Sequence, residues 1–223
     1  MPDRAGENAT PSPRALRADA RRNHQQLLTA ARDVLLERGP GAPLDEVARR
    51  AGVGIGTLYR RFPDRQALLR AVALEALADS RRAADDALAQ DGGGFAALTT
   101  YLHAALGSRV SAVLPLVLDR LDSEDEELQR AREASAELVQ RIVDTAHADG
   151  SLHPQIGFAD IGTLLVRLAR PLPGPVPADV DDQLARRHLE LFVAGLRAVS
   201  EHGTPLHGPR LERADLRALR SGG

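Results

Sequence analysis

Gly52-Val53-Gly54-Ile55-Gly56-Thr57-Leu58-Tyr59-Arg60-Arg61-Phe62 decides the fold, because it reads as a sharp corner followed by a short helix. Upstream, Leu44, Val47, Ala48 and Ala51 share one helical face, and Asp45 and Glu46 sit in the first turn, where the macrodipole favours negative charge. Gly52 stands where a helix stops in a left-handed residue, and Val53 then plugs the corner. Gly54 serves as N-cap of the next helix. Its Ile55, Leu58 and Phe62 recur at helical spacing and are expected to face inward, leaving Thr57, Tyr59, Arg60 and Arg61 outward. Pro63 ends this helix, and Asp64 caps another that opens with Arg65, Gln66 and Ala67.

A helix of about two turns buries little, so its outward threonine, tyrosine and arginines contribute little to stability. They suit a negatively charged groove. Phosphates accept hydrogen bonds from groups such as Thr57, Tyr59 and Arg65, which fixes register, while base edges are read deeper in the groove. The competing reading of any one of these residues is a solvated helix face; their joint spacing favours a helix-turn-helix.

From about Arg21 to Leu74 the chain resembles the N-terminal domain of the tetracycline-repressor (TetR) family of transcriptional regulators. The resemblance runs through Arg21-Arg22-Asn23, Leu27-Leu28-x-Ala30-Ala31, Arg38-Gly39, Leu44 to Ala51, Gly56-Thr57-Leu58-Tyr59-x-x-Phe62 and Leu68-Leu69, in that order. It implies phosphate contacts at Thr57, Tyr59 and Arg65, and base readout around Ile55, Gly56 and Arg60. With the flanking Arg22, Asn23, Leu44 and Arg61, these make up the expected DNA-contact set. Three positions depart from the family pattern: Ile55 where a lysine is frequent, Pro43 where a Ser or Thr usually caps helix two, and His24 where an arginine is common.

A chain of 223 residues with 43% apolar content accommodates one small and one medium domain. It has no cysteine, no stretch of about 18 apolar residues and no signal-like start, so no disulfide or membrane partner is expected and the location reads as cytoplasmic. The net charge of −2 argues against a nucleic-acid binder until its distribution is considered. Residues 1–65 hold 12 Arg against 8 acids, +4, and the remainder 17 against 23, −6. A basic head with an acidic body is compatible with a duplex partner. Every basic residue counted is arginine, whose forked guanidinium suits phosphate and guanine.

The expected organisation is all-α: a disordered arm over 1–17, a three-helix helix-turn-helix DNA-binding domain over 18–65, a helical ligand-binding and dimerisation domain over 66–202 and a flexible tail over 203–223. Helix one is expected from about Asp19 to Arg38 with Leu27, Ala31, Val34 and Leu35 inward, and helix four from about Arg65 to Ala89, touching both head and body. Asp91-Gly92-Gly93-Gly94 reads as a break, since no strand precedes it to make a phosphate cradle. A helix follows from about Phe95 to Leu106, then a segment from Val110 to Leu121 broken or capped near Pro115. Ser123-x-x-Glu126 matches a capping box opening a long helix that ends at Gly150; this accounts for the acid run Asp122 to Glu127 without a metal. Phe158, Ile161, Leu164, Leu165 and Leu168 stripe the next helix.

The last main helix, about Ala178 to His202, is apolar on two sides, Leu184, Leu191 and Val199 on one and Leu189, Phe192, Val193 and Leu196 on the other. Two sides need two partners, the chain's own body and a second copy, so a homodimer on palindromic double-stranded operator DNA is expected.

The resemblance implies a small-molecule effector within the body helices. Tyr101, His103, Leu118, Leu138 and Arg167 are the candidate pocket residues, and the aliphatic lining suggests an apolar or amphipathic ligand. The residues do not separate a ligand-released repressor from an activator. An all-helical enzyme lacks support: there is no cysteine, no HExxH and no nucleophile elbow, and His147 and His153 flank a loop. No catalytic residue, cofactor or metal is expected.

Overall fold

The structure, a computed structural model, describes residues 13–118, 120–122 and 124–221, and among these residues it contains helices and no strand. The first four helices are α1 (Pro13–Arg38), α2 (Leu44–Arg50), α3 (Ile55–Arg61) and α4 (Arg65–Leu88). They are followed by α5 (Gly93–Gly107), α6 (Val110–Leu118), α7 (Glu126–Ala148), α8 (Phe158–Ala169), α9 (Ala178–His202) and α10 (Arg213–Ser221).

The apolar stripe of α1 closes over α2, α3 and the first half of α4. Leu27, Ala31, Val34 and Leu35 are buried with Val47, Ala48, Leu58, Phe62, Leu68, Leu69, Val72 and Leu77. This cluster does not stop at the expected boundary near residue 66. Val113 and Val117 of α6 and Leu128 of α7 complete it, so two body helices pack directly into the head. The second half of α4 places Ala84 and Ala87 in the body cluster, with α5, α7, α8 and the inner face of α9. One continuous helix therefore belongs to both cores.

Gly94 shows why α5 and α7 pack so tightly. A Cβ there would lie 2.2 Å from the Cα of Ala146, so α5 and α7 cross with backbone against helix. The Gly94 amide donates to Asp149 Oδ2 at 2.6 Å and the Phe95 amide to Ser151 Oγ at 3.1 Å. The glycine run is thus a capped helix start and a crossing point, beyond the simple break its sequence suggests. No single helix among the described residues is long and apolar enough to cross a membrane.

Four expectations are corrected. Residues 1–12 of the expected arm lie outside the described residues, but Pro13 to Arg17 are helical: proline suits a first helical turn, and the Arg, Ala and Leu that follow are good helix formers. The helix α6 runs through Pro115, because Val113 and Val117 on either side are fully buried and hold it in place. Ser123 lies outside the described residues, and α7 is capped by Asp125, whose carboxylate accepts from the Leu128 amide at 3.0 Å.

The fourth correction concerns the tail. The helix α9 ends, as expected, at a left-handed Gly203. Beyond it the chain is a strap across the α7–α8 loop: the Leu206 amide donates to Gln155 Oε1 at 3.0 Å, Arg210 to the Pro154 carbonyl, and the Ala159 amide to the Leu211 carbonyl at 3.3 Å. Then α10 begins. Local sequence cannot reveal such a strap, because its partners lie about fifty residues away.

Candidate nucleic-acid interface

Two backbone bonds make the corner between α2 and α3. The Val53 amide donates to the Ala48 carbonyl at 3.0 Å and the Gly52 amide to that of Arg49 at 3.1 Å, with Gly52 at φ +69°. This pair of bonds is a Schellman motif, and it requires a residue that tolerates the left-handed region. Val53 packs against the head cluster, and Gly54 is the N-cap of α3, as expected. Pro43 opens α2 without a side-chain cap, leaving Asp45 and Glu46 in the first turn.

With only seven residues, α3 is held by one of them and by its C-cap. Leu58 is fully buried and Phe62, its C-cap, nearly so. Ile55, expected inward, is instead 36% exposed. It belongs to the first turn, where the helix has not yet reached the core, so it is presented outward beside Gly56. A Cβ on Gly56 would meet nothing within 4 Å. The chain itself therefore has no need of glycine there, although glycine in a helix costs up to about 1 kcal/mol relative to alanine. Tyr59 is 49% exposed; Arg60 and Arg61 are exposed, and Thr57 is half-buried with Oγ1 accepting from Arg60 Nη2 at 3.3 Å.

Charge pairing separates α3 from its neighbour. The arginines of α2 are engaged by acids: Arg49 with Glu46 at 2.5 Å, and Arg50 with both oxygens of Glu37 at 2.5 and 2.7 Å. Arg49 beside Glu46 holds that carboxyl below its ordinary range. Among the described residues no carboxylate pairs with Arg60 or Arg61. The Arg61 Nε–H donates to Nδ1 of His24 at 3.2 Å, and the imidazole stacks on Phe62 with ring centroids 5.7 Å apart.

The other expected contacts divide. Arg22 and Asn23 are exposed on α1, with Arg22 paired to Asp19. Leu44 is buried at 9% in the head cluster, so its side chain does not face a duplex; as the first residue of α2 it points into the core. Arg65 is half-buried and donates from Nη1 to the Pro40 carbonyl at 2.9 Å, tying the loop after α1 to the start of α4. That bond was invisible in the sequence, which showed only a basic residue in a first turn. His24, noted only as a departure from pattern, is half-buried, and its side chain touches the C-terminal end of α3.

In the body, the five candidate pocket residues do not converge. Tyr101 and Leu138 are buried in the body core, while Leu118 packs against the head cluster. His103 is exposed, with Nε2 3.4 Å from Glu190 Oε1, and Arg167 is exposed on α8. Tyr101 and His103 are two residues apart on one helix and so point to opposite sides. The sequence missed the partners of Tyr101: its hydroxyl is 3.2 Å from Ser80 Oγ, which accepts from Ser135 Oγ at 3.0 Å, a buried chain of three hydroxyls joining α5, α4 and α7. Burial pushes the Tyr101 phenol above its ordinary pKa. A cavity of about 40 Å³ lies elsewhere, between the ends of α5 and α8 and the start of α9, beside Arg109, Asp181 and Asp182.

Head and body are joined through Arg32 of α1. Its Nη2 meets Asp79 of α4 at 3.0 Å and its Nη1 donates to the Ser108 carbonyl at the α5–α6 corner at 3.0 Å, while its buried Nε has no partner among the described residues. The next residue, Arg109, is left-handed at φ +52° and pairs with Asp182 of α9.

Comparison with known proteins agrees with this geometry. The family model for bacterial regulatory proteins, tetR family, matches residues 27–72. A TetR transcription regulatory protein from Mycobacterium vanbaalenii has 30% identity and a TM-score of 0.53, over 82% of this chain and 99% of that one. A TetR transcriptional regulator from Streptomyces coelicolor has 28% identity and a TM-score of 0.55, over 78% and 97%. The fold is shared by the TetR-like regulator LfrR from Mycobacterium smegmatis, solved in complex with proflavine, at 22% identity and a TM-score of 0.57, over 84% and 99%. No curated protein sequence matches the chain.

Proposed function

Because the chain belongs to the tetR family of DNA-binding transcriptional regulators, we propose that it acts as a ligand-released repressor, binding a palindromic operator as a homodimer in the cytoplasm. The observation that carries this reading is the outer face of α3. There Tyr59, Arg60 and Arg61 are exposed with no acid among the described residues paired to the arginines, while the arginines of α2 are neutralised within the chain. An unpaired cationic face with a bare glycine backbone is suited to phosphates and base edges. In this reading Thr57 and Tyr59 fix register, Ile55, Gly56 and Arg60 read bases, and Arg22 and Asn23 reach the flanking backbone. Arg65 acts mainly by holding the loop after α1.

The proposed dimer forms on α8 and α9. The inner face of α9 is covered by its own body through Leu189, Val193 and Leu196, whereas Leu191 is 62% exposed among small residues Ala194, Gly195 and Ala198. A twofold pairing there presents both copies of α3 to one side of a duplex, with half-sites about 34 Å apart or a multiple of it.

The effector we propose is an apolar or amphipathic small molecule taken up where α4, α5 and α7 meet around Tyr101 and Leu138. The proflavine complex of LfrR supports a small-molecule effector. A drug-sized ligand occupies roughly 300 Å³ or more, so its uptake repacks the body helices. Arg32, held by both α4 and the α5–α6 corner, is a direct route for such repacking to α1. Release by about 100-fold needs a coupling of about 2.7 kcal/mol, within reach of one ligand.

Selection of bound duplexes from a random pool tests the proposal. The expected product is one sequence with inverted half-sites; enrichment of none, or of an asymmetric site, overturns it.

A further inference from the structure

Building on the reading that α3 enters the duplex, we propose that neutral His24 is a positioning residue for DNA binding: its Nδ1 holds the Arg61 guanidinium on the DNA-facing end of α3, and protonation of that nitrogen releases it. An arginine N–H only donates, so the 3.2 Å contact from Arg61 Nε requires an unprotonated Nδ1 and places the ring proton on Nε2. The ring itself is fixed by its stack on Phe62, which is 4% exposed and anchors the C-terminal end of α3. Only Nε is used, and the Nη groups of Arg61 stay available for a phosphate.

The surroundings favour the neutral imidazole. Partial burial lowers the His24 pKa from its ordinary value, and the Arg61 charge lowers it further, while Glu75 of α4 opposes them. The Glu75 carboxylate is itself approached by Gln25 at 3.3 Å and Arg82 at 3.8 Å, and Arg22, on the same helix as His24, is paired with Asp19. Near pH 7 the ring is therefore an acceptor. On acidification Nδ1 becomes a donor carrying positive charge, two donors face each other, and the guanidinium loses its hold. No carboxylate among the described residues pairs with Arg61 to take over.

The test is the salt dependence of binding to a selected duplex at pH 8 and pH 5, for the wild type, His24→Asn, His24→Leu and Arg61→Ala. Asparagine offers a carboxamide oxygen near the Nδ1 position and does not titrate; leucine keeps an apolar contact with Phe62 and accepts nothing. The wild-type slope of log K against log salt is expected to flatten by about 0.9 for each bound subunit between pH 8 and pH 5, one phosphate's worth. His24→Asn keeps the steep slope at both pH values, and His24→Leu and Arg61→Ala show the flat slope at both. Circular dichroism reports folding throughout; should His24→Leu unfold, the pH profile of His24→Asn against wild type decides. A wild-type slope that is unchanged or steeper at pH 5, or a steep His24→Leu slope, overturns the proposal. If wild type binds and Tyr59→Ala weakens it, such a result removes His24 alone. If wild type binds no duplex, the DNA-binding reading falls and this proposal with it.

Discussion

Replacing Gly56 with alanine separates the needs of the fold from those of the duplex, because the two respond in opposite directions. Gly56 lies inside α3, its φ is not positive, and an added methyl meets nothing within 4 Å. Alanine there reduces the freedom of the unfolded chain and should stabilise the protein by about 0.4 to 1 kcal/mol. For a chain of this size that raises Tm by roughly 1–4 °C. In the proposed complex the methyl would stand where the helix backbone approaches the groove. We expect a loss of about tenfold per half-site, corresponding to about 1.4 kcal/mol. Thermal melting by circular dichroism gives the first quantity, and fluorescence anisotropy with a labelled operator at fixed salt gives the second. Equal or tighter binding by Gly56→Ala, with the expected rise in Tm, would refute the placement of α3 in the groove.

Tyr59→Ala should weaken operator binding while leaving helicity and dimer mass unchanged, as read by anisotropy, circular dichroism and sedimentation; unaltered affinity contradicts its role. In Gly94→Ala the new Cβ would lie 2.2 Å from the Ala146 Cα, so α5 and α7 must separate. A loss of about 3 kcal/mol is expected in urea melts, and a cost below about 1 kcal/mol contradicts the crossing. Arg70 bonds to Asp125 at 2.6 Å and holds its carboxyl below the ordinary range, an effect reinforced by the Leu128 amide. A depressed carboxylate stabilises the fold above its unfolded pKa and loses that contribution as pH falls through the folded value. The urea midpoints of wild type and Asp125→Asn should therefore differ most near neutrality and converge as pH falls below the ordinary carboxylate range; a gap independent of pH excludes this linkage.

The head was legible because its signals are local. The left-handed Gly52, the buried Leu58 and Phe62, and the Asp64 cap all depend on neighbours within a few residues, and α9 begins at Ala178 and ends at His202 as its pattern predicts. What stayed hidden depends on distant partners. Arg65 finds the Pro40 carbonyl, Leu128 reaches the head core, and the strap after Gly203 finds Pro154 and Gln155. Ile55 misled because periodicity fixes a face without saying how far the core extends under the first turn. The pocket candidates misled differently: polar residues among leucines were read as inward, yet His103 and Arg167 are on the surface, while the hydroxyls that do meet Tyr101 come from Ser80 and Ser135 on other helices.

The central claim is that α3 is the surface offered to the double helix. Hydrogen–deuterium exchange of the protein with and without a selected duplex reads this directly, peptide by peptide. The account predicts slowed exchange in peptides spanning Ile55–Arg61 and the start of α1, with the outer faces of α8 and α9 unchanged. Protection confined to the body, with Ile55–Arg61 exchanging as fast as in the free protein, would contradict it.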